Sequence, residues 1–235
     1  MIVSGFLFPQ NSPIDFETGG YGATWTWTVF ENGSNPPLEI VTNPNTGGIN
    51  SSATVAKFTA LQAGQPWAGC ESLHGSDIGT FSLDATNSTL KIMVYKTVIS
   101  DVGLKFVIPS SGSLGEIKVA NTVTNAWEEL TFDFSSHIGL LEAIGIDQIV
   151  VFPDFNLGGR TQDNIIYFDI LASIQILSGL ITEMRHFLRD LHLSRISQTR
   201  LIQLPIPLFQ PKKNSTQNAN TINKGVYHLF INIIK

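Results

Sequence analysis

The stretch Asp147–Ile170, DQIVVFPDFNLGGRTQDNIIYFDI, decides the fold that the sequence predicts. Two apolar runs, rich in β-branched and aromatic residues, flank a polar loop that contains two glycines. Runs of this composition between turn residues are typical of β-strands. We interpret the stretch as a hairpin-like element that closes an all-β domain.

Upstream of this stretch, short β-rich runs recur at regular spacing between clusters of Asn, Pro and Gly. Strict alternation places Trp25, Trp27 and Val29 on one face of an early strand. Further strands are predicted at residues 53–60, 67–73, 79–84, 89–96, 102–108, 115–121, 127–134, 147–153 and 164–170. Helical periodicity is absent from this region.

With the strands near the N-terminus the total is ten or eleven. This number predicts an all-β fold: an antiparallel β-sandwich of two sheets with a jelly-roll, galactose-binding-like arrangement. An immunoglobulin-like sandwich has only about seven strands.

Charge and composition divide the chain at residue 170. Residues 1–170 carry 6 Lys and Arg against 17 Asp and Glu, whereas residues 171–235 carry 8 against 2. We therefore assign residues 14–170 to the β-domain, residues 1–13 to a leader segment, and the remainder to a basic tail that is partly helical or disordered. The tail is either a docking segment or an extension produced by read-through of the gene.

Charge and missing motifs exclude several classes of function. Residues 1–170 carry 11 more acidic than basic residues. This negative charge repels phosphate backbones, which argues against a nucleic-acid partner. The sequence lacks a phosphate-binding glycine loop, a hydrolase nucleophile motif and a cysteine cluster. No run reaches the roughly 18–20 apolar residues of a membrane span. Cys70 is the single cysteine and has no partner for an internal disulfide.

Aromatic residues beside polar ones give the strongest functional signal. A sugar ring has apolar C–H faces and polar hydroxyl edges, so a carbohydrate site combines flat aromatic rings with hydrogen-bonding groups. The segment GQPWAGCESLHG supplies this mixture, with Trp67 after a proline and with Glu71 and His74 nearby. Trp67 is interpreted as a ligand platform or, equally well, as a cap on the edge of the core.

Other side chains are secondary candidates for the same site. Lys96 ends a predicted strand, and Arg160 and Gln162 lie in the loop of the closing stretch. Planar guanidinium and amide groups suit paired contacts to neighbouring hydroxyls, although a plain solvated turn is the alternative for this loop. Trp25 and Trp27 are predicted to lie in the core or on a sheet face that binds sugar.

Acidic residues raise two further possibilities. A glycosidase needs two carboxylates at a fixed separation, which Glu71 and Glu116 could reach only through folding. Calcium binds carboxylate and carbonyl oxygens. Asp15, Glu17 and Asp169 are predicted to hold one structural calcium ion that ties the terminal strands together. Solvated surface carboxylates are the alternative in both cases.

The opening DFE with its Gly-rich turn, the segment WEELTFDF and the terminal IYFDI resemble jelly-roll carbohydrate-binding modules. The resemblance covers roughly residues 14–170 and is to modules attached to secreted bacterial laminarinases and related glycoside hydrolases. It implies a structural calcium at Glu17 and Asp169, and Ile170 stands where such modules often have a second acid. It also implies an extracellular or cell-surface location, although MIVSGFLFPQ lacks the basic start of a secretion signal.

The sequence therefore predicts a non-catalytic module that binds a polysaccharide, a β-glucan or another glycan, and keeps an attached or partner enzyme near it. Trp67 would stack on the sugar, with hydrogen bonds from Glu71, His74, Lys96 and Arg160. Two alternatives stay open: a structural or adhesion domain of a surface protein without a glycan site, and a glycoside hydrolase or polysaccharide lyase.

Overall fold

The computed structural model of the protein describes residues 10–173. The predicted basic tail lies outside this range from residue 174 onward, as do the first nine residues of the predicted leader. Within the described residues, no helix is long and apolar enough to cross a membrane.

Ten β-strands form two antiparallel sheets in this part of the chain, which confirms the predicted sandwich. The strands are β1 (Thr28–Phe30), β2 (Glu39–Thr42), β3 (Thr54–Ala60), β4 (Gly69–Glu71), β5 (Thr89–Lys96), β6 (Asp101–Val107), β7 (Ile117–Ala120), β8 (Trp127–Asp133), β9 (Gln148–Phe155) and β10 (Asn164–Ser173). The first sheet has the order β1-β4-β9-β6-β7, and the second sheet has the order β2-β3-β10-β5-β8. Two short 3-10 turns, Ser135–His137 and Leu141–Ala143, precede β9.

The closing stretch supplies the central strand of each sheet. β9 lies between β4 and β6 in the first sheet, and β10 lies between β3 and β5 in the second. The two strands therefore do not form the hairpin-like pair that the sequence predicted, because the loop between them crosses from one sheet to the other. A continuous apolar run suits a central strand, and every residue of β9 is buried.

The inward faces of the two sheets enclose one hydrophobic core. In the first sheet, Val29 pairs with Cys70, and Cys70 pairs with Val151, so that three neighbouring strands bury aligned side chains. From the N-terminal segment, the Phe16 ring packs edge-on against Phe168 of β10, with ring centroids 5.5 Å apart. A one-residue slip would turn such an apolar set outward, so burial fixes the register.

Two predicted strands differ in the structure. Residues 79–84 contain only a single bridge, between Phe81 and Ile146. Gly79 has a left-handed φ of 74°, and Asp84 begins a turn in which its side chain accepts a backbone N–H, so few extended residues remain. The early strand is also shorter than predicted, since Trp25 and Trp27 precede β1.

Candidate functional site

Two aromatic rings and two glycines alternate across the outward face of the first sheet. Phe30 pairs with Gly69, and Gly103 pairs with Phe152, while the β4–β9 register continues to place Gly69 beside Phe152. A Cβ atom at Gly69 would lie 2.8 Å from Phe30 Cζ, and one at Gly103 would lie 3.0 Å from Phe152 Cδ2. The glycines thus make room for the rings, which meet edge to face with centroids 5.8 Å apart.

A β-bulge in β9 adds Phe155 to the same face. Gly103 pairs with Phe152, but Asp101 pairs with Phe155, so β9 has one extra residue over this interval. The extra residue reverses the alternation of side chains. Phe155 therefore lies beside Phe152, with ring centroids 5.9 Å apart. We call Phe30, Phe152 and Phe155 the aromatic floor; Phe152 and Phe155 are only 5% and 8% exposed.

Trp67 stands at the edge of the aromatic floor with 42% of its surface exposed. Together with the floor it lines an open cavity of about 390 Å³, which we call the aromatic groove; Lys105 and Glu116 complete its lining. An exposed ring beside a groove favours the ligand-platform interpretation of Trp67 over the core-cap interpretation.

Two lysines border the aromatic floor. Lys105 Nζ lies 5.7 Å from the centroid of the Phe152 ring, and Lys118 Nζ lies 4.3 Å from that of Phe155. Lys118 Nζ also lies 3.5 Å from Glu116 Oε1. Cation–π contacts at exposed sites contribute about 0.5–1 kcal/mol. The lysines thus place hydrogen-bond donors beside an apolar surface, where a ligand with both characters could use them.

A second open cavity, of about 330 Å³, lies toward the β9–β10 loop and shares Phe155 with the aromatic groove. Lys118 also lines this second cavity. Its other lining residues are Ile99, Ser100, Asp101, Asn156, Leu157 and Gly158. The two cavities together extend from β1 to β7, a distance of four strand spacings or about 19 Å. This length suits an extended ligand better than a single ring.

Lys96 and Arg160 do not reach this surface, which corrects the prediction that they contact ligand. Both side chains are 0% exposed and surround Asp154. Arg160 Nε donates to Asp154 Oδ2 (2.8 Å), as does Asn164 Nδ2 (2.9 Å). Lys96 Nζ lies 3.6 Å from Asp154 Oδ1 and donates to Ser100 Oγ (2.6 Å), and the Ser100 hydroxyl donates to Asp154. A buried carboxylate requires such partners.

Burial perturbs the ionisation of this buried cluster. Desolvation lowers the pKa of Lys96 to about 8, although the charge of Asp154 opposes the shift. For Asp154, desolvation raises the pKa, but hydrogen bonds from Asn164 and Ser100 and the charge of Lys96 outweigh it and hold the pKa below its ordinary value. The cluster is therefore ionic near neutral pH.

The other predicted polar contacts lie in different places. Glu71 is half-buried in β4, opposite Thr28 and Val150 on the outward face of the first sheet, but it does not line the aromatic groove. His74 Nδ1 lies 2.7 Å from Asp147 Oδ1, and His74 lines neither of the two cavities. Gln162 is exposed in the β9–β10 loop. Neither Glu71 nor His74 therefore lines the aromatic groove, although Glu71 lies on the same face of the sheet.

Trp25 and Trp27 form a separate aromatic stack. Their ring centroids are 5.7 Å apart with 29° between the planes, and Tyr21 lies 6.5 Å from Trp25. Trp27 Nε1 donates to the Gly22 carbonyl (2.9 Å). Both tryptophans pack against the main core, so they do not line the aromatic groove.

The predicted calcium ligands contact protein groups. Glu17 Oε1 accepts the backbone N–H of Ala53 (2.5 Å), and Asp15 Oδ1 accepts that of Glu17 (3.1 Å). Asp169 Oδ2 accepts a hydrogen bond from Asn50 Nδ2 (3.0 Å). The described residues contain no group of three or more His, Cys, Asp or Glu side chains placed to hold a metal ion. Calcium therefore stays a prediction, and Glu17 fastens the N-terminal segment to the start of β3.

Sequence reasoning missed the aromatic floor. Phe152 and Phe155 lie within the closing stretch, but a spacing of three places two residues on opposite faces of a regular strand. Only the bulge brings them together. Gly69 and Gly103 were the available signal, because an isolated glycine within a strand marks the close approach of another group.

Comparison with known proteins gives similarities of structure alone. No protein-family model matches the sequence, and no curated protein matches it. CBM28, a carbohydrate-binding module specific for non-crystalline cellulose, is 10% identical with a TM-score of 0.42; the match covers 63% of this chain and 86% of that chain. TmCBM61, solved in complex with β-1,4-galactotriose, is 11% identical with a TM-score of 0.41 and coverages of 70% and 97%.

An exo-β-agarase is also similar, at 8% identity and a TM-score of 0.48. The match covers 70% of this chain and 24% of the agarase chain, so the chain spans about a quarter of that enzyme's length. At these identities and TM-scores the ligand must be argued from the groove itself.

Proposed function

We propose that this domain binds a polysaccharide through the aromatic groove of the first sheet. The observation that carries the proposal is the exposed Trp67 ring beside the aromatic floor. An exposed flat ring such as that of Trp67 suits the C–H face of a sugar. Lys105 and Glu116, which complete the lining, offer a donor and an acceptor to hydroxyl groups at the sugar edges.

Charge favours a neutral glycan as the ligand. Residues 1–170 carry 11 more acidic than basic residues. Near the groove, Lys118 is paired with Glu116 at 3.5 Å, and Glu71 lies on the same face of the sheet. An acidic polysaccharide would meet repulsion from this surface, whereas a neutral β-glucan or xylan would not. Sugar contacts are individually modest, so we expect a Kd between about 1 μM and 1 mM.

A non-catalytic role fits the arrangement of the acidic groups on this face. Glu71 and Lys105 both pair with Val150, and the β6–β7 register continues to place Glu116 beside Lys105. The backbones of Glu71 and Glu116 are therefore three strand spacings apart, about 14 Å, with a lysine between them. This separation is wider than the roughly 5–9.5 Å between the two carboxyl groups of a glycosidase. We propose that the domain keeps an attached or partner enzyme near its polysaccharide, outside the cell.

Affinity electrophoresis of the full chain tests this function. Native gels are cast with laminarin, xylan, alginate or no polysaccharide, and binding to insoluble cellulose is measured by pull-down. We expect at least one neutral glycan to retard or retain the protein and alginate to leave it unaffected. A protein that no glycan retards or retains would refute glycan binding, and release of reducing ends or unsaturated products would show an enzyme instead.

A further inference from the structure

Backbone hydrogen bonds hold the loop that carries Trp67 on two sides. The Gln65 N–H donates to the carbonyl of Glu31, which follows β1 (2.7 Å), and the Asn156 N–H, which follows β9, donates to the carbonyl of Pro66 (3.0 Å). The loop is thus attached to the ends of both strands that carry the aromatic floor.

Arg160 adds a side-chain link between this loop and the bulge of β9. Its Nη1 donates to the Gln65 carbonyl (2.8 Å), its Nε donates to Asp154 Oδ2 (2.8 Å), and its Nη2 donates to the Asp154 carbonyl (2.5 Å). The Arg160 guanidinium therefore links Gln65, two positions before Trp67, to Asp154, directly before Phe155. The planar fork of arginine fixes such partners in one geometry, which a lysine ammonium does not.

We infer that Arg160 is a positioning residue for glycan binding, which fixes Trp67 relative to Phe155 without contacting the ligand. The inference rests on the proposed function, because it concerns the same groove. With the Arg160 side chain 0% exposed, its guanidinium has no surface to offer a sugar. A platform that is already ordered loses less conformational entropy on binding, so loosening the loop weakens binding even though every ring remains.

Lys96 provides the matched control. It is the other buried cation beside Asp154, with Nζ 3.6 Å from Oδ1, so its removal changes the same charge cluster. Its hydrogen bonds, however, go to the carbonyl and hydroxyl of Ser100 and not to the loop before Trp67. If Arg160 acted only through its charge or through overall stability, replacing Lys96 should weaken binding as much as replacing Arg160.

The first test is a double-mutant cycle with Arg160→Lys and Trp67→Ala in the full chain. Affinity is measured with laminarin or xylan, according to which retards the parent. In the parent, we expect Arg160→Lys to weaken affinity about fivefold to tenfold. In the Trp67→Ala background, the same substitution should change affinity less than about twofold. Lys96→Met should change the affinity of the parent less than about twofold. An equal loss in both backgrounds, or an equal loss from Lys96→Met, would overturn the inference.

A second, ligand-free measurement separates this inference from the proposed function. The protein is labelled with 5-fluorotryptophan, and the Trp67 signal among its 4 tryptophans is assigned in fluorine NMR spectra with a Trp67→Phe variant. We expect Arg160→Lys to shift or broaden the Trp67 signal, and Lys96→Met to leave it in place. An unchanged Trp67 signal would refute positioning even in a glycan-binding protein. A changed signal in a protein that binds no glycan would refute the proposed function and leave the positioning of Trp67 standing.

Cooperative thermal melting confirms that each variant folds. Should Arg160→Lys fail to melt cooperatively, Arg160→Gln replaces it, because the shorter neutral amide keeps a donor for Asp154 and loses the link to Gln65. The same changes in the Trp67 signal and in affinity are expected from that variant, and their absence would equally overturn the inference.

Discussion

Replacement of Trp67 by alanine is the most direct perturbation of the aromatic groove. The residue exposes 42% of its surface, and a tryptophan side chain has up to about 250 Å² to bury, so a ligand can cover about 100 Å² of it. At about 25 cal/mol per Å², covering half to all of this area contributes about 1.3–2.6 kcal/mol. Trp67→Ala should therefore weaken glycan binding about tenfold to eightyfold.

Isothermal titration calorimetry with a soluble glycan that retards the parent measures this loss. Trp67→Phe retains a smaller platform, so its affinity should lie between those of the parent and Trp67→Ala. Leu141→Ala is the matched control, since Leu141 is 79% exposed and lies in a 3-10 turn outside the groove lining. A loss below about threefold for Trp67→Ala, on every glycan that the parent binds, would refute stacking on this ring.

Four further predictions concern stability and reactivity. Gly69→Ala should lower the free energy of unfolding by about 1–3 kcal/mol in urea denaturation, because a Cβ atom there would lie 2.6 Å from the Val151 carbonyl oxygen. Lys96 has a pKa of about 8 against an ordinary 10.5. Between these pH values the unfolded chain binds more protons than the folded chain, so stability rises with pH. Relative to Lys96→Met, the free energy of unfolding of the parent should rise by up to about 3 kcal/mol between pH 7 and pH 10. Burial raises the pKa of the Cys70 thiol, so a thiol reagent should react only after unfolding. If calcium binds as predicted, it should raise the melting temperature of the parent and not that of Glu17→Gln.

Each of these predictions has a contrary result. Equal urea midpoints for Gly69→Ala and the parent would show that the strand accommodates the Cβ atom without a loss of stability. A constant stability difference between the parent and Lys96→Met across this pH range would contradict the depressed pKa of Lys96. Rapid labelling of Cys70 in the folded protein would contradict its burial. An equal melting temperature in calcium and in chelator would withdraw the calcium prediction and leave Glu17 as an acceptor for β3.

The strands were predictable because burying one face of a sheet requires alternation, and turn residues mark where each strand ends. The partners of β9 and β10 were not predictable in the same way. Composition identifies the two runs of the closing stretch as strands, but their pairing depends on strands far away in the sequence. Residues 156–163 are enough to cross between the sheets, and nothing local distinguishes that crossing from a hairpin.

The candidate site was predictable only in part. Trp67 follows a proline and precedes small residues, which favours exposure, and the structure exposes it. Lys96 and Arg160 were misassigned because long cationic side chains are ordinarily exposed. Their burial follows from Asp154, whose own burial at a bulge leaves no local trace in the sequence. The burial of a side chain cannot be predicted from the sequence pattern where it depends on strand register and bulges.

The bulge in β9 makes the ligand surface depend on the length of one strand as well as on its residues. Because a single additional residue separates the pairings of Phe152 and Phe155, deleting one residue between them would leave a spacing of two, which keeps both rings on the outward face of a regular strand. Deleting two residues would make Phe155 adjacent to Phe152 in sequence and turn it toward the interior. Deletion of Pro153 alone should therefore preserve the aromatic groove, and deletion of Pro153 together with Asp154 should abolish it, an outcome that no scan of point substitutions would reveal.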